Sequence, residues 1–220
     1  MSVHLQREMG RIKRRLMSLC GLVDEQVGLA VRAMLERDAE LAREVQQRDD
    51  EVDRLEVELE EECLKTLALH QPVAVDLRFL VATLKINNDL ERIGDLAVNI
   101  AQKARSFARC SQMAIPFDLA GMAEKTQTML RDSIDALIKL DAALGHDVCG
   151  RDDEVDRMKR SFRSQAEKML ATEPAQTKAF LRLLAVTRNL ERIADLATNI
   201  AEDVIYLVNG EITRHRGAVE

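Results

Sequence analysis

The sequence predicts an all-α fold of two tandem, pseudo-symmetric three-helix bundles with spectrin-like packing, over residues 1–112 and 113–220. Three observations predict it. LERIGDLAVNIA at Leu90–Ala101 recurs as LERIADLATNIA at Leu190–Ala201, and RDDEVDRL at Arg48–Leu55 recurs as RDDEVDRM at Arg151–Met158, the mark of an internal duplication. Only three Pro and nine Gly interrupt a 220-residue chain, a composition that favours long helices. No stretch sustains the period-two alternation of a half-buried strand.

Each half parses into three main helices. His4 to Glu36 is one amphipathic run, and Asp38 can cap a short helical continuation. Asp49 or Asp50 then starts the second long helix, which runs to about Leu69 and stops at the His70-Gln71-Pro72 turn, because proline cannot continue the backbone bonding. The third helix spans about Val73 to Ala108. In the second half Asp118 caps a helix to about Leu144, followed by helices from about Asp152 to Ala171 and from Pro174 to Asn209, with Gly210 as the stop. Cys110 to Pro116 is the boundary between the halves.

The third helix of each half is apolar on two sides. Phe79, Ala82, Ile86, Leu90, Ile93, Ala97 and Ile100 share one face at helical spacing. A second stripe begins with Leu77, Val81 and Leu84, then turns polar at Asn88, Glu91, Asp95 and Asn99. Leu181, Leu184, Arg188, Glu191, Asp195 and Asn199 repeat it. A helix apolar on two sides is packed on two sides, so the polar residues continue a stripe that faces another helix.

That partner is the preceding helix of the hairpin. With equal rise per residue, positions equidistant from a tight turn sit at equal height. Asp49 and Asp95 are equidistant from Pro72, as are Asp53 and Glu91. Asp152 with Asp195, and Asp156 with Glu191, are symmetric about the Glu173-Pro174 junction. Four carboxylates therefore share one level in each half. Like charges at one level repel, and burial worsens the repulsion. They are neutralised by Arg92 or Arg192, splay into water, or hold a cation between them. Hard oxygen ligands suit Mg, Mn, Ca or Fe, and zinc less readily. Asn99 and Asn199, one turn further, offer amide oxygens.

Other chemistry is poorly represented. The net charge is −6, and the only short basic cluster, Arg11, Lys13, Arg14 and Arg15, lies among acidic residues, so nucleic acid is not an expected partner. No run approaches the roughly 18 apolar residues of a membrane span, and the N-terminal residues lack the apolar core of a signal peptide, so the expected location is cytoplasmic. Cys20, Cys63, Cys110 and Cys149 form no CxxC pair and read as free thiols. The residues three before His70, His146 and His215 are Leu67, Ala143 and Ile212, which excludes the Glu-x-x-His centre of di-iron bundles. Phosphate-loop, dinucleotide, zinc-protease and hydrolase motifs are absent, so an enzyme is not expected.

QPVAVDLRFLVATLKINNDLERIGDLAVNIA at Gln71–Ala101 and FLRLLAVTRNLERIADLATNIAEDVIYLVNGEITRH at Phe180–His215 resemble the PhoU family of phosphate-specific transport accessory proteins. The resemblance covers nearly the whole chain and includes the duplication and the RDDEVDRL helix. It implies two three-helix bundles, each with a metal cluster on paired acidic motifs. The positions carried here are Asp49, Asp53, Glu91 and Asp95, then Asp152, Asp156, Glu191 and Asp195, with Asn99 and Asn199 as weaker candidates. The metals it implies are iron or zinc, and the oxygen donors also suit Mg or Mn. It further implies a cytoplasmic negative regulator of the phosphate-starvation response and phosphate homeostasis. The implied partners are the transporter's ATP-binding subunit, a sensor histidine kinase and a second copy of the chain in a homodimer. Arg188 in place of Asn88 departs from the pattern and makes the two metal sites unequal; Arg182 interrupts the apolar face. A metal-free helical adaptor with salt-bridged acidic ladders is the alternative.

Overall fold

The computed structural model describes residues 3–110 and 115–210. The boundary expected between residues 112 and 113, and His215, lie outside the described residues. Six long helices carry the fold: α1 Val3–Glu36, α2 Ala39–His70, α3 Ala74–Phe107, α4 Leu119–Lys139, α5 Ala142–Thr172 and α6 Thr177–Asn209. A 3-10 turn at Pro174–Gln176 precedes α6, and no strand occurs among the described residues. Helices α1, α2 and α3 pack on one another, as do α4, α5 and α6; α3 lies against α6 and α1 against α4. One hydrophobic cluster runs through both halves, including Leu19, Val23, Ile86, Leu90, Ile93 and Phe107 in the first and Leu130, Phe180, Leu190 and Ile193 in the second.

Three helix boundaries differ from the expected ones, the third being the start of α5, at Ala142 rather than near Asp152. Asp49 and Asp50 do not start a helix; α2 is continuous from Ala39, because Asp38 already caps it. Its carboxylate accepts from the backbone N–H of Glu40 at 2.8 Å and of Leu41 at 3.0 Å, and no Pro or Gly follows before the turn. In the second half, α4 ends at Lys139 rather than Leu144, where Leu140 turns left-handed, φ 51°, and Asp141 caps α5 by accepting from Leu144 N–H at 3.0 Å. Gly145 lies inside α5 and against α6, where a Cβ would meet Ile205 at 3.0 Å and the Ala201 carbonyl at 3.2 Å. Asp118 caps α4 as expected, accepting from Gly121 N–H, and Gly210 ends α6 at φ 73°.

The α2–α3 connection is a tight antiparallel hairpin. Gln71 takes the left-handed conformation at the end of α2 and returns its N–H to the Leu67 carbonyl. Leu77 and Leu181, expected to begin a packed stripe, are instead exposed, because both stand near the hairpin tips beyond the reach of neighbouring helices. Higher up, Ile86, Leu90, Ile93, Ala97 and Ile100 of α3 are fully buried, and so are Leu190, Ile193, Ala197 and Ile200 of α6.

Candidate metal centres

The counted levels are the observed ones. Asn87 Nδ2 of α3 donates to the Glu56 carbonyl of α2 at 3.0 Å, and Gly94 of α3 lies against Val52 and Asp49. In the second half Lys159 of α5 pairs with Glu191 of α6. Rotation about the helix axes, which counting leaves open, also favours a meeting. Asp49 and Glu91 are half-buried while Asp53 and Asp95 are exposed, so the four flank one seam at the edge of the packed face.

Mutual repulsion links the carboxylates of each half. Burial raises the pKa of Asp49, and repulsion from Asp53, Asp95 and Asp50 adds to it, against a hydrogen bond from Gln26. Burial also raises Glu91, with further repulsion from Asp95, Asp53, Glu56 and Asp49. The first cluster thus unites Asp49, Asp53, Glu91 and Asp95, and Glu56 joins them. Asp152 is raised by burial and by Asp156, Asp153 and Glu191. Asp195 is pushed up to about 6, first by burial and then by Glu191, Asp152 and Asp156, with Lys159 opposing. The second cluster unites Asp152, Asp156, Glu191 and Asp195.

The two clusters differ in how their charge is met. Among the described residues no Lys or Arg pairs with Asp49, Asp53, Glu91 or Asp95: Arg48 pairs instead with Glu25 and Glu44, both at 2.6 Å, and Arg92 with Asp89 at 3.6 Å. In the second cluster Lys159 pairs with Glu191, and Arg160 pairs with Asp156 at 3.1 Å. Asn99 is exposed on α3. Asn199 lines an open cavity of about 410 Å³ between α3 and α6, together with Asp152, Asp195, Arg92 and Arg192. Arg188 is exposed and makes no ion pair with the second cluster among the described residues.

No three Asp, Glu, His or Cys side chains converge on one ligand point among the described residues. The donor chemistry of the first cluster fits a hard cation: carboxylate and amide oxygens only. Cys149 stands near Asp152, and burial and then the neighbouring negative charges push its thiol up to about 11.

Four residues at these sites were not singled out by sequence reasoning. Gln26 of α1 is 1% exposed and donates from Nε2 to Asp49 Oδ1 at 3.0 Å. Its signal was a polar residue inside the apolar stripe of Val23, Val27 and Ala30. Glu56 and Lys159 directly follow RDDEVDRL and RDDEVDRM, and are the first position at which the two copies carry opposite charge. Asn87 is buried beside Glu56 and Glu91, one position from the Asn88 that the stripe included.

The PhoU domain model matches residues 16–104 and 119–204. The phosphate-specific transport system accessory protein PhoU homolog of Pseudomonas putida is 35% identical over 219 residues, covering 98% of this chain and 85% of that protein. Its namesake in Aquifex aeolicus is 36% identical and covers 96% of each chain. The crystal structure of PhoU from Pseudomonas aeruginosa superposes with a TM-score of 0.90 at 34% identity, over 94% of this chain and 99% of that one. The phosphate transport system regulatory protein PhoU from Streptococcus pneumoniae gives a TM-score of 0.84 at 26% identity, over 94% and 98%. With two matched repeats, paired acidic seams and this agreement over nearly its whole length, the chain belongs to the PhoU family.

Proposed function

We propose that this protein is an accessory regulator of phosphate-specific transport that acts by binding partners rather than by catalysis, with a metal centre on its paired acidic motifs. One observation supports the metal reading above the others: in the first half, four carboxylates from two adjacent helices repel one another with no basic residue paired to them among the described residues. Natural folds seldom leave such charge unmet unless something else meets it. The groups that would hold the ion are Asp49 and Asp53 of α2 with Glu91 and Asp95 of α3. A bound ion supplies charge neutralisation and a cross-link between the two helices. The remaining work belongs to the chain. Val52, Leu59, Leu90 and Ile93 keep the hairpin packed, so that α2 and α3 present a fixed outer surface.

The finer role is a negative regulator of the phosphate-starvation response, linking the transporter's ATP-binding subunit to a sensor histidine kinase in the cytoplasm, as a homodimer. The names of the relatives, accessory and regulatory proteins of phosphate transport, support the transporter half of this reading. No helix among the described residues is long and apolar enough to cross a membrane. The deciding experiment is deletion of the gene, with a phosphate-starvation reporter followed in phosphate-rich medium. Constitutive expression, reversed by the wild-type gene, is expected; an unchanged reporter counts against the regulator. Co-purification of the chain with the ATP-binding subunit and with the kinase tests each partner separately.

A second reading, the metal-free helical adaptor, draws on the second half. There Lys159 and Arg160 meet Glu191 and Asp156 without an ion. Metal analysis of protein purified without an affinity tag separates the two readings.

A further inference from the structure

We infer that the two acidic clusters are not equivalent: the first is the cation site, and in the second the Lys159 ammonium takes the place of the ion. This rests on the metal reading above and assigns it to one half.

The repeats can be aligned by contacts outside the clusters. Arg48 of α2 bridges Glu25 of α1 and Glu44 of its own helix, and Arg151 of α5 bridges Asp132 of α4 and Asp147 in the same manner. That register places Asp49 with Asp152, Glu56 with Lys159 and Gln26 with Ser133; the LERI helices place Asn87 with Thr187.

At each of the three differing positions the change runs in one direction. In the first half Glu56 adds a carboxylate to the cluster. Gln26 donates to Asp49, while its Oε1, in a side chain 1% exposed, has no hydrogen-bond partner. Asn87, also 1% exposed, donates to Glu56 Oε1 at 3.1 Å, and its Oδ1 has no partner either. Two buried amide oxygens without donors thus stand beside an unpaired set of carboxylates. Buried acceptors are nearly always satisfied, so these two oxygens leave a place for a donor or a cation. In the second half the same positions are self-contained. Ser133 donates to the Leu130 carbonyl at 2.7 Å and Thr187 to the Leu184 carbonyl at 2.9 Å. Lys159 brings its ammonium to Glu191.

An ion entering the second cluster must first displace that ammonium and then share the site with it, against the repulsion of like charges. An ion entering the first meets only oxygen. Affinity for the same ion is accordingly higher in the first half, by at least about tenfold.

The test uses the full-length, tag-free chain, stripped with chelator and titrated with Mn²⁺. Sub-stoichiometric Mn²⁺ broadens the amide resonances of Ile93 and Gly94 more strongly than those of Ile193 and Ala194. Glu56→Lys, which copies the second half into the first, weakens tight binding at least about tenfold. Lys159→Glu adds a second set of tight sites, and Lys159→Met, which removes the ammonium without adding charge, moves the same way to a smaller extent. Circular dichroism and melting confirm that each variant is folded. Equal broadening in both halves, or a stoichiometry unchanged in both folded Lys159 variants, overturns the inequality while leaving the metal reading intact. Absence of Mn²⁺ binding together with absence of Fe²⁺ binding under anaerobic titration ends both.

Discussion

Gly94 of α3 sits directly opposite Val52 of α2: a Cβ on the glycine would meet Val52 Cγ1 at 3.3 Å and Gln26 Oε1 at 3.2 Å. The two helices therefore touch at the level of Asp49 and Asp95, and the acidic seam is narrow because a residue without a side chain lets it be. Ala194 stands at this position in the second half. Gly94→Val places a whole isopropyl group in a full contact and should lower unfolding free energy by about 1–3 kcal/mol. Denaturant melts of wild type and variant measure it, with Val98→Ala at the half-buried position one turn on as a milder comparison.

The helix starts are set by three aspartates, and each should be individually measurable. Asp38 accepts from two backbone N–H groups at the start of α2, and Asp118 and Asp141 from one each. Replacing any of them with Ala should cost about 1 kcal/mol, and replacing it with Asn or Ser much less, because those side chains still accept. A loss at Asp49→Ala as large as at Asp38→Ala would place a helix start where the fold has none.

Much of this was legible in the sequence, and the failures have physical causes. Duplication, all-helical class and hairpin level follow from spacing, which the helix rise converts directly into height. The breaks were harder. Asp49 and Asp50 resemble a cap, but a carboxylate pair mid-helix looks identical in one dimension to a pair at its end, and only Asp38 supplied the cap geometry. Level counting about a single turn relates only the two helices that the turn joins, so it did not reach Gln26 of α1, whose one signal was a polar residue within an apolar stripe.

Without metal, the acidic seams oppose folding, and pH should expose this. Asp195 keeps its proton up to about 6 in the folded chain, against 3.8 for an unperturbed aspartate. Between those values the folded state binds more protons than the unfolded state, so this stabilising contribution is complete below about pH 4 and lost as pH rises through about 6. Asp49, Glu91 and Asp152 are shifted in the same direction. In chelator-treated protein, Asp195→Asn should flatten the fall in melting temperature between pH 5 and about 7, where wild type declines. A wild-type profile no steeper than that of the variant would contradict the assignment.

Neutralising a cluster member should separate stability from metal response. Glu91→Gln removes a half-buried charge that repels Asp95 and Asp53, so the metal-free variant should melt higher than metal-free wild type. Added Mn²⁺ should raise the melting point of wild type more than that of the variant, by the mass-action term of a ligand that binds only the folded state. Differential scanning calorimetry with and without Mn²⁺ reads both effects.

The central claim is that acidic side chains of α2 and α3 hold a cation between them. Its most direct measurement is elemental analysis of tag-free protein purified without chelator, wild type beside a variant carrying Asp49→Asn, Asp53→Asn, Glu91→Gln and Asp95→Asn. The predicted result is metal co-purifying with wild type and lost from the folded variant. Wild type and variant carrying the same metal content, or none in either after loading with Fe²⁺ and Mn²⁺, would contradict it.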